Sequence, residues 1–309
     1  MKKDDKILIV GHDGIIEKSL YGYFVKNGYA HVISSSLVSL DPSIQPSVYE
    51  LFQKERPDYV FLSSTRSGGI EANIKYPADF IYHNLESQNN VLYASRNFGV
   101  KKLLYYAGSC VYPKTCNQPM KEDALLTGPF EETSEAYSVA KLAGVKLCEY
   151  FNKQYGFKAV SMVPATLYGP NADMDLTTAH VMGALIGKFA QAVKGGLSEV
   201  EVWGSGNPRR EFLYIDDFVE ASLFLMKDYD KPQMINAGFG EDISIRDLAE
   251  LIKKISGFKG RITFNASKPD GAMQKLLDSS QMRKLGWKPK VHLEEGIRKT
   301  YEWYVSMSF

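Results

Sequence analysis

The 309-residue sequence holds only three cysteines, Cys110, Cys116 and Cys148, at spacings that suit neither a disulfide framework nor a metal site. That excludes a disulfide-stapled secreted domain and predicts a reducing, cytoplasmic setting. No apolar run approaches the ~18 residues of a membrane span. Lys2, Lys3 and Lys6 imitate the basic start of a signal peptide, but the apolar run Ile7 to Val10 is too short to complete one. Charge of one sign is also lacking. Thirty-seven Lys and Arg against 36 Asp and Glu leave +1, so no global field attracts nucleic acid or an anionic membrane, and an anionic ligand must be met by local groups. Repeats and low-complexity segments are absent as well.

What is present is an ordinary globular composition, 44% apolar and 24% charged, in a chain longer than the usual domain of ~100–150 residues. Lys6-Ile-Leu-Ile-Val10 reads as a buried strand running into Gly11-His-Asp-Gly14, after which Ile15, Leu20 and Phe24 form a helical stripe closed by Gly28. Further strands are predicted at Ala30 to Ser34, Tyr59 to Leu62, Lys102 to Ala107 and Ala159 to Val163. Helices fall at Val48 to Glu55, Asp79 to Phe98, and from an N-cap at Ser134 to Tyr155. This alternation predicts an α/β fold with a doubly wound parallel sheet of Rossmann type. Beyond Pro164 the pattern loosens into helices at His180 to Lys194, Asp216 to Lys227 and Ile245 to Ser256, the last capped by Ser244, with strands at Val200 to Trp203 and Gln233 to Ala237. We expect a dinucleotide-binding domain over 1–165 plus about 212–239. A smaller mixed α/β substrate lobe is expected over about 166–211 plus 240–309.

Tyr137 and Lys141 stand four apart, on one face of the predicted helix. An ammonium beside a phenol favours its ionised form, which suits proton transfer near neutral pH. The pair alone also occurs by chance on many helices, so its surroundings matter. Gly11 and Gly14 form a turn after the first strand, where backbone amides and a helix N-terminus suit a diphosphate. A third glycine is replaced by Glu17, which we expect to repel a diphosphate and obstruct helix–strand packing. Ser34-Ser35-Ser36, at the end of the second strand, offers hydroxyls but no carboxylate.

These pieces, with Leu167-Tyr-Gly-Pro170, Gly68-Gly-Ile70, Tyr76 to Ile81, Ser109-Cys-Val-Tyr-Pro-Lys114, Val202 to Phe212, Ala266 to Gly271 and Lys275-Leu-Leu-Asp278, run in order along nearly the whole chain. The chain resembles the extended short-chain dehydrogenase/reductases, and within them the GDP-L-fucose synthase family of 3,5-epimerase/4-reductases. The resemblance implies a GDP-linked 4-keto-6-deoxy sugar as substrate, Cys110 and His180 as the epimerase pair, and Tyr137 with Lys141 for reduction. It implies NADP(H), with NAD(H) as the alternative, held by Gly11, Asp13, Gly14, Ser34, Ser36, Tyr137, Lys141, Pro164, Leu167 and His180. Thr166, Lys188, Trp203, Arg210 and Lys275 fall to the substrate, Trp203 being read equally well as a core aromatic. A homodimer is implied too.

The chain departs from that pattern at five places. Gly108 replaces a serine that would bond the substrate ketone beside Tyr137, with Ser109 as the nearest substitute, and Asp13 stands where an arginine would meet a 2′-phosphate. Thr166 replaces an asparagine, Gly187 an arginine whose charge Lys188 would partly restore, and Glu17 the third glycine. Three readings follow: the full epimerase/reductase, a relative with another ketosugar such as a dideoxy sugar or deoxy-heptose or with epimerase activity alone, and a nucleotide-sugar-binding pseudoenzyme that partners an active enzyme.

Overall fold

Short runs of β-branched and aromatic residues assemble the central sheet in the computed structural model, which describes residues 1–63, 66–176, 178–268 and 270–308. Strands β1 (Lys6–Val10), β2 (His31–Ser34), β3 (Tyr59–Leu62), β4 (Lys102–Tyr106), β5 (Ala159–Pro164) and β9 (Ile235–Ala237) lie parallel in the order β2-β1-β3-β4-β5-β9. Because helices cover both faces, the middle strands are apolar throughout rather than alternating. Ile7 to Val10, Val60 to Leu62 and Leu103 to Tyr105 are at most 1% exposed. Helices α1 (Ile15–Lys26) and α7 (Ile215–Asp228) pack together on one side, while α2 (Gln45–Glu55), α4 (Pro77–Asn97) and α5 (Glu135–Tyr155) pack side by side on the other. Strand order reverses between β1 and β3, and in such sheets ligands bind beyond the strand ends at that reversal.

The second, smaller sheet is built around β8 (Arg209–Tyr214), which pairs with β6 (Thr166–Tyr168), β10 (Asp242–Ser244) and β12 (Gln274–Lys275). Strands β7 (Glu199–Trp203) and β11 (Arg261–Asn265) form a separate parallel pair. Helices α6 (Val181–Lys194), α8 (Ile245–Ser256) and α10 (Leu293–Ser308) pack against one another beside them, and α3 (Ile70–Lys75) and α9 (Ser280–Leu285) are short connectors.

Most predicted elements are found within a few residues. Ser244 caps α8 as expected, its hydroxyl accepting from Asp247 N at 3.0 Å. Ser134 does stand at the N-cap of α5, but its side chain makes no capping bond, and its carbonyl instead accepts the Ser138 hydroxyl. Glu17 does not hold α1 off the sheet. Leu20 and Phe24 are fully buried beneath that helix, and Glu17 itself is 2% exposed.

Candidate active site

The site is built where β1, β4 and β5 end. After Val10 the chain turns through Gly11 and His12 to Asp13, which takes a left-handed φ of 60°, and Gly14 then caps α1. A Cβ on Gly14 would stand 2.9 Å from the His12 ring and one on Gly11 3.1 Å from Glu17 Oε2, so a larger residue at either position displaces one of those side chains. Glu17 lies across it. Its carboxylate accepts from Asp13 N at 2.8 Å, from Ser36 N at 3.0 Å and from the hydroxyls of Ser35 and Ser34. The end of β2 therefore does hold a carboxylate, contrary to expectation, supplied by the neighbouring helix. Asp13 points away and pairs with Lys18 at 3.0 Å.

Beside the turn opens a cleft of about 340 Å³ bordered by Gly11, His12, Leu40, Asp41, Arg66 and His83. Its place at the β1/β3 reversal, glycine backbone and apolar Leu40 wall fit a dinucleotide. Pro164 ends β5 opposite Ala237, and Leu167 and Thr166 lie half-buried on β6 opposite Leu213 and Phe212.

At the end of β4, Ala107 and Gly108 lead into a single tight helical turn, Ser109–Val111. A Cβ at Gly108 would lie 3.4 Å from Cys110 Sγ and 3.9 Å from the Tyr137 ring, so position 108 faces the gap between the two. Ser109 instead lines a recess with Cys110, Glu131 and Lys275. Tyr137 packs edge-on against Phe80. One helical turn later, Lys141 is 1% exposed with its ammonium 4.4 Å from the centre of the Tyr105 ring. Burial pushes its pKa down to about 7, opposed by the nearby thiols of Cys110 and Cys148. Tyr105 is held by Gln88, which accepts its hydroxyl at 2.7 Å and itself bonds Ala140 O on α5. The ring fits under the helix because residue 144 is glycine: a Cβ there would stand 2.3 Å from the Tyr105 hydroxyl. Tyr105, Gln88 and Gly144 escaped the sequence reading; a glycine inside a helix, costing about 1 kcal/mol against alanine, was the available signal.

Burial also raises the Cys110 thiol, against the pull of Lys275, Ser138 and Lys141. His180 stands at the N-cap of α6, open to solvent yet set among protein groups. Desolvation pushes its pKa down, Asp173 opposes this, and Lys275 and His12 reinforce it. Lys275 on β12 is directly in register with Arg210 on β8. Both are half-buried, and desolvation lowers the pKa of each.

On the substrate side, the ammonium of Lys188 donates to Glu201 O at 2.8 Å and lies against Trp203. An arginine at 187 has no room: a Cβ on Gly187 would stand 2.7 Å from Met174 O. Trp203, 44% exposed and flanked by Lys188 and Lys268, is a surface wall rather than a core aromatic. Among the described residues no group of acids, histidines and cysteines is placed to hold a metal ion, and no helix is long and apolar enough to cross a membrane.

Comparison with known proteins identifies the family. Residues 7–238 match the model of the NAD dependent epimerase/dehydratase family. The chain is 44% identical to a probable GDP-L-fucose synthase 1 of Oryza sativa subsp. japonica, over 98% of this chain and 93% of that one. A GDP-6-OMe-4-keto-L-xylo-heptose reductase from Campylobacter jejuni superposes with a TM-score of 0.94 at 33% identity, covering 100% and 99%. A GDP-mannoheptose C4 reductase from the same organism, solved with NADP bound, gives 0.90 at 36%, covering 98% and 99%. A glycine turn, a Tyr–Lys pair on one helix and full-length similarity to GDP-sugar enzymes place this chain in the NAD dependent epimerase/dehydratase family, as an enzyme of the extended short-chain dehydrogenase/reductase type.

Proposed function

We propose that the protein converts a GDP-linked 4-keto-6-deoxy sugar by epimerisation at C3 and C5 and reduction at C4. The observation that carries this reading is the in-register pair Arg210 and Lys275 next to Cys110 and His180. Like charges directly opposite on neighbouring strands repel, and a diphosphate bridging them turns that repulsion into attraction. Trp203 is then the wall for the base or sugar, and Thr166 borders the sugar from β6.

A ketone at C4 acidifies the hydrogens on C3 and C5. In this reading Cys110 withdraws a proton from one face of the ring and His180 returns one to the other. Lys275 and Lys141 both favour the thiolate that the first step needs. Tyr137 then delivers a proton to the C4 oxygen. Lys141 holds the nicotinamide ribose, and ligand hydroxyls around its ammonium restore the charge that burial weakens. Gly11, Gly14, Pro164 and Leu167 border the dinucleotide, which when bound supplies the hydride. The NADP-bound heptose reductase and the family resemblance support the phosphorylated cofactor, while the turn of this chain favours the other form, as argued below.

The same proposal assigns 1–165 plus about 212–239 to the dinucleotide and about 166–211 plus 240–309 to the nucleotide sugar, in a cytoplasmic homodimer. Exposed Tyr82, Tyr93, Val139 and Tyr150 on α4 and α5 support the dimer. Gly108 favours a second reading, in which the epimerase outruns a weakened reductase. Incubating the protein with GDP-4-keto-6-deoxy-mannose in D2O, with NADH or NADPH, tests both. Deuterium at C3 and C5 with cofactor consumption is expected. Deuterium without consumption selects the second reading, and neither signal overturns the proposal for this sugar.

A further inference from the structure

Each serine hydroxyl at the end of β2 has one proton to give. Ser34 donates its proton to Glu17 Oε1. Ser35 sits 3.1 Å from the same oxygen and 3.3 Å from Gly11 O, so its proton goes inward either way, while its oxygen accepts from Gly11 N. With the Ser34 proton committed, the 3.0 Å contact between Ser34 and Ser36 requires Ser36 to be the donor. Ser36 N is spent on Glu17 too. The three serines of the Ser34–Ser36 rim therefore turn their hydroxyl protons inward, and Ser36, the one of them that is not buried, is left with a lone pair to present outward, because one buried carboxylate collects the protons.

We propose that this rim selects a dinucleotide whose adenosine ribose carries a free 2′-hydroxyl, NAD(H), over its 2′-phosphorylated counterpart, and that Glu17 is the residue that sets the choice. The proposal rests on the dinucleotide-dependent function above. A ribose hydroxyl is a donor and finds the Ser36 oxygen ready to accept. A 2′-phosphate is an acceptor only and meets a lone pair, with the Glu17 carboxylate close behind. Of the neighbouring cations, Lys18 is paired with Asp13, and the charge of Arg66, on the border of the cleft, is shared with Asp41. Glu17 works through the serines and is a positioning residue, so its signature is a change in the ratio of two affinities and not a loss of both.

The test is fluorescence titration of the full chain with NADH and with NADPH, beside Glu17→Gln, which keeps the volume, and Glu17→Gly, which restores the third glycine of the turn. The wild type is expected to bind NADH on the order of tenfold or more tightly than NADPH, the worth of one buried donor–acceptor mismatch. Either variant, with a cooperative thermal melt as proof of folding, is expected to reduce that ratio about fivefold or more. Equal or tighter binding of NADPH by the wild type, or a ratio untouched by folded variants, overturns the inference and leaves the epimerase/reductase reading standing. Saturable binding of neither cofactor overturns the reductase reading itself, and this inference with it.

Discussion

A serine at position 108 fits the site as it stands. Gly108 has an extended backbone, φ −132° and ψ 159°, which any residue adopts, and the nearest atoms to a Cβ lie at ordinary contact distance. Gly108→Ser is therefore expected to accelerate ketone reduction by about 10²–10³, the usual worth of one donor aimed at a developing oxyanion, without lowering the melting temperature. Single-turnover cofactor oxidation measures this, and an unchanged rate would show that the hydroxyl is not what limits the step. Lys141 makes the opposite kind of prediction. Because burial depresses its pKa from 10.5 to about 7, the unfolded chain holds the proton more tightly between those values, and this group's contribution to stability rises with pH across that window. Lys141→Met is expected to melt no lower than wild type at pH 7, to lose that rise, and to lose reduction; a clear fall in melting temperature would refute the buried-cation account. The Tyr137–Lys141 pair was legible because helical spacing is local. Tyr105, Gln88 and Gly144 were not, since their roles exist only once α5 lies across β4 and α4. Glu17 was noticed as a charge in the wrong place, and its serine partners, 17 to 19 residues away, come within reach only when α1 packs on the sheet.

Among the elements, the central strands were readable and the small sheet was not. Runs such as Tyr59 to Leu62 are apolar end to end and announce a covered parallel sheet. Strands β6, β10 and β12, of two or three residues, carry no periodicity and owe their existence to pairing with β8. Glu211 on β8 helps hold that junction: its carboxylate accepts from Gly240 N at 2.6 Å and from Leu277 N at 2.9 Å while only 2% exposed. Desolvation raises its pKa to about 7 despite both bonds. A carboxyl that binds its proton more tightly in the folded state adds stability at low pH and loses it as pH rises from about 4.5 to about 7. Glu211→Ala is expected to cost about 1–3 kcal/mol by leaving two buried amides unpaired. It should also flatten the fall in stability between pH 5 and 7.5, as denaturant melts at several pH values would show. A pH slope identical to wild type would remove Glu211 as its source.

For the whole molecule, the strand–helix alternation foretold the parallel sheet, but the order of its strands had to be seen, because nothing local says which strand β1 pairs with. The exposed tyrosines of α4 and α5 allow a test of assembly. Tyr82→Glu combined with Tyr150→Glu is expected to convert a dimer to a folded monomer in light scattering, because both side chains are more than half exposed in the single chain and charge there repels a second copy. A wild-type monomer would refute the dimer outright. The register of Lys275 against Arg210 has a consequence for the life of the protein as well as for its chemistry. Strand β12 is two residues long and docks one cation against another, a local repulsion in an edge otherwise tied by Gln274 to Asp242 and by Leu276 N to Gln118. The diphosphate proposed to lie between both side chains would relieve that repulsion, and anything that binds only the folded form protects that form by mass action. Resistance to proteolysis, and with it the amount of enzyme that survives, is then expected to follow the supply of the proposed nucleotide sugar.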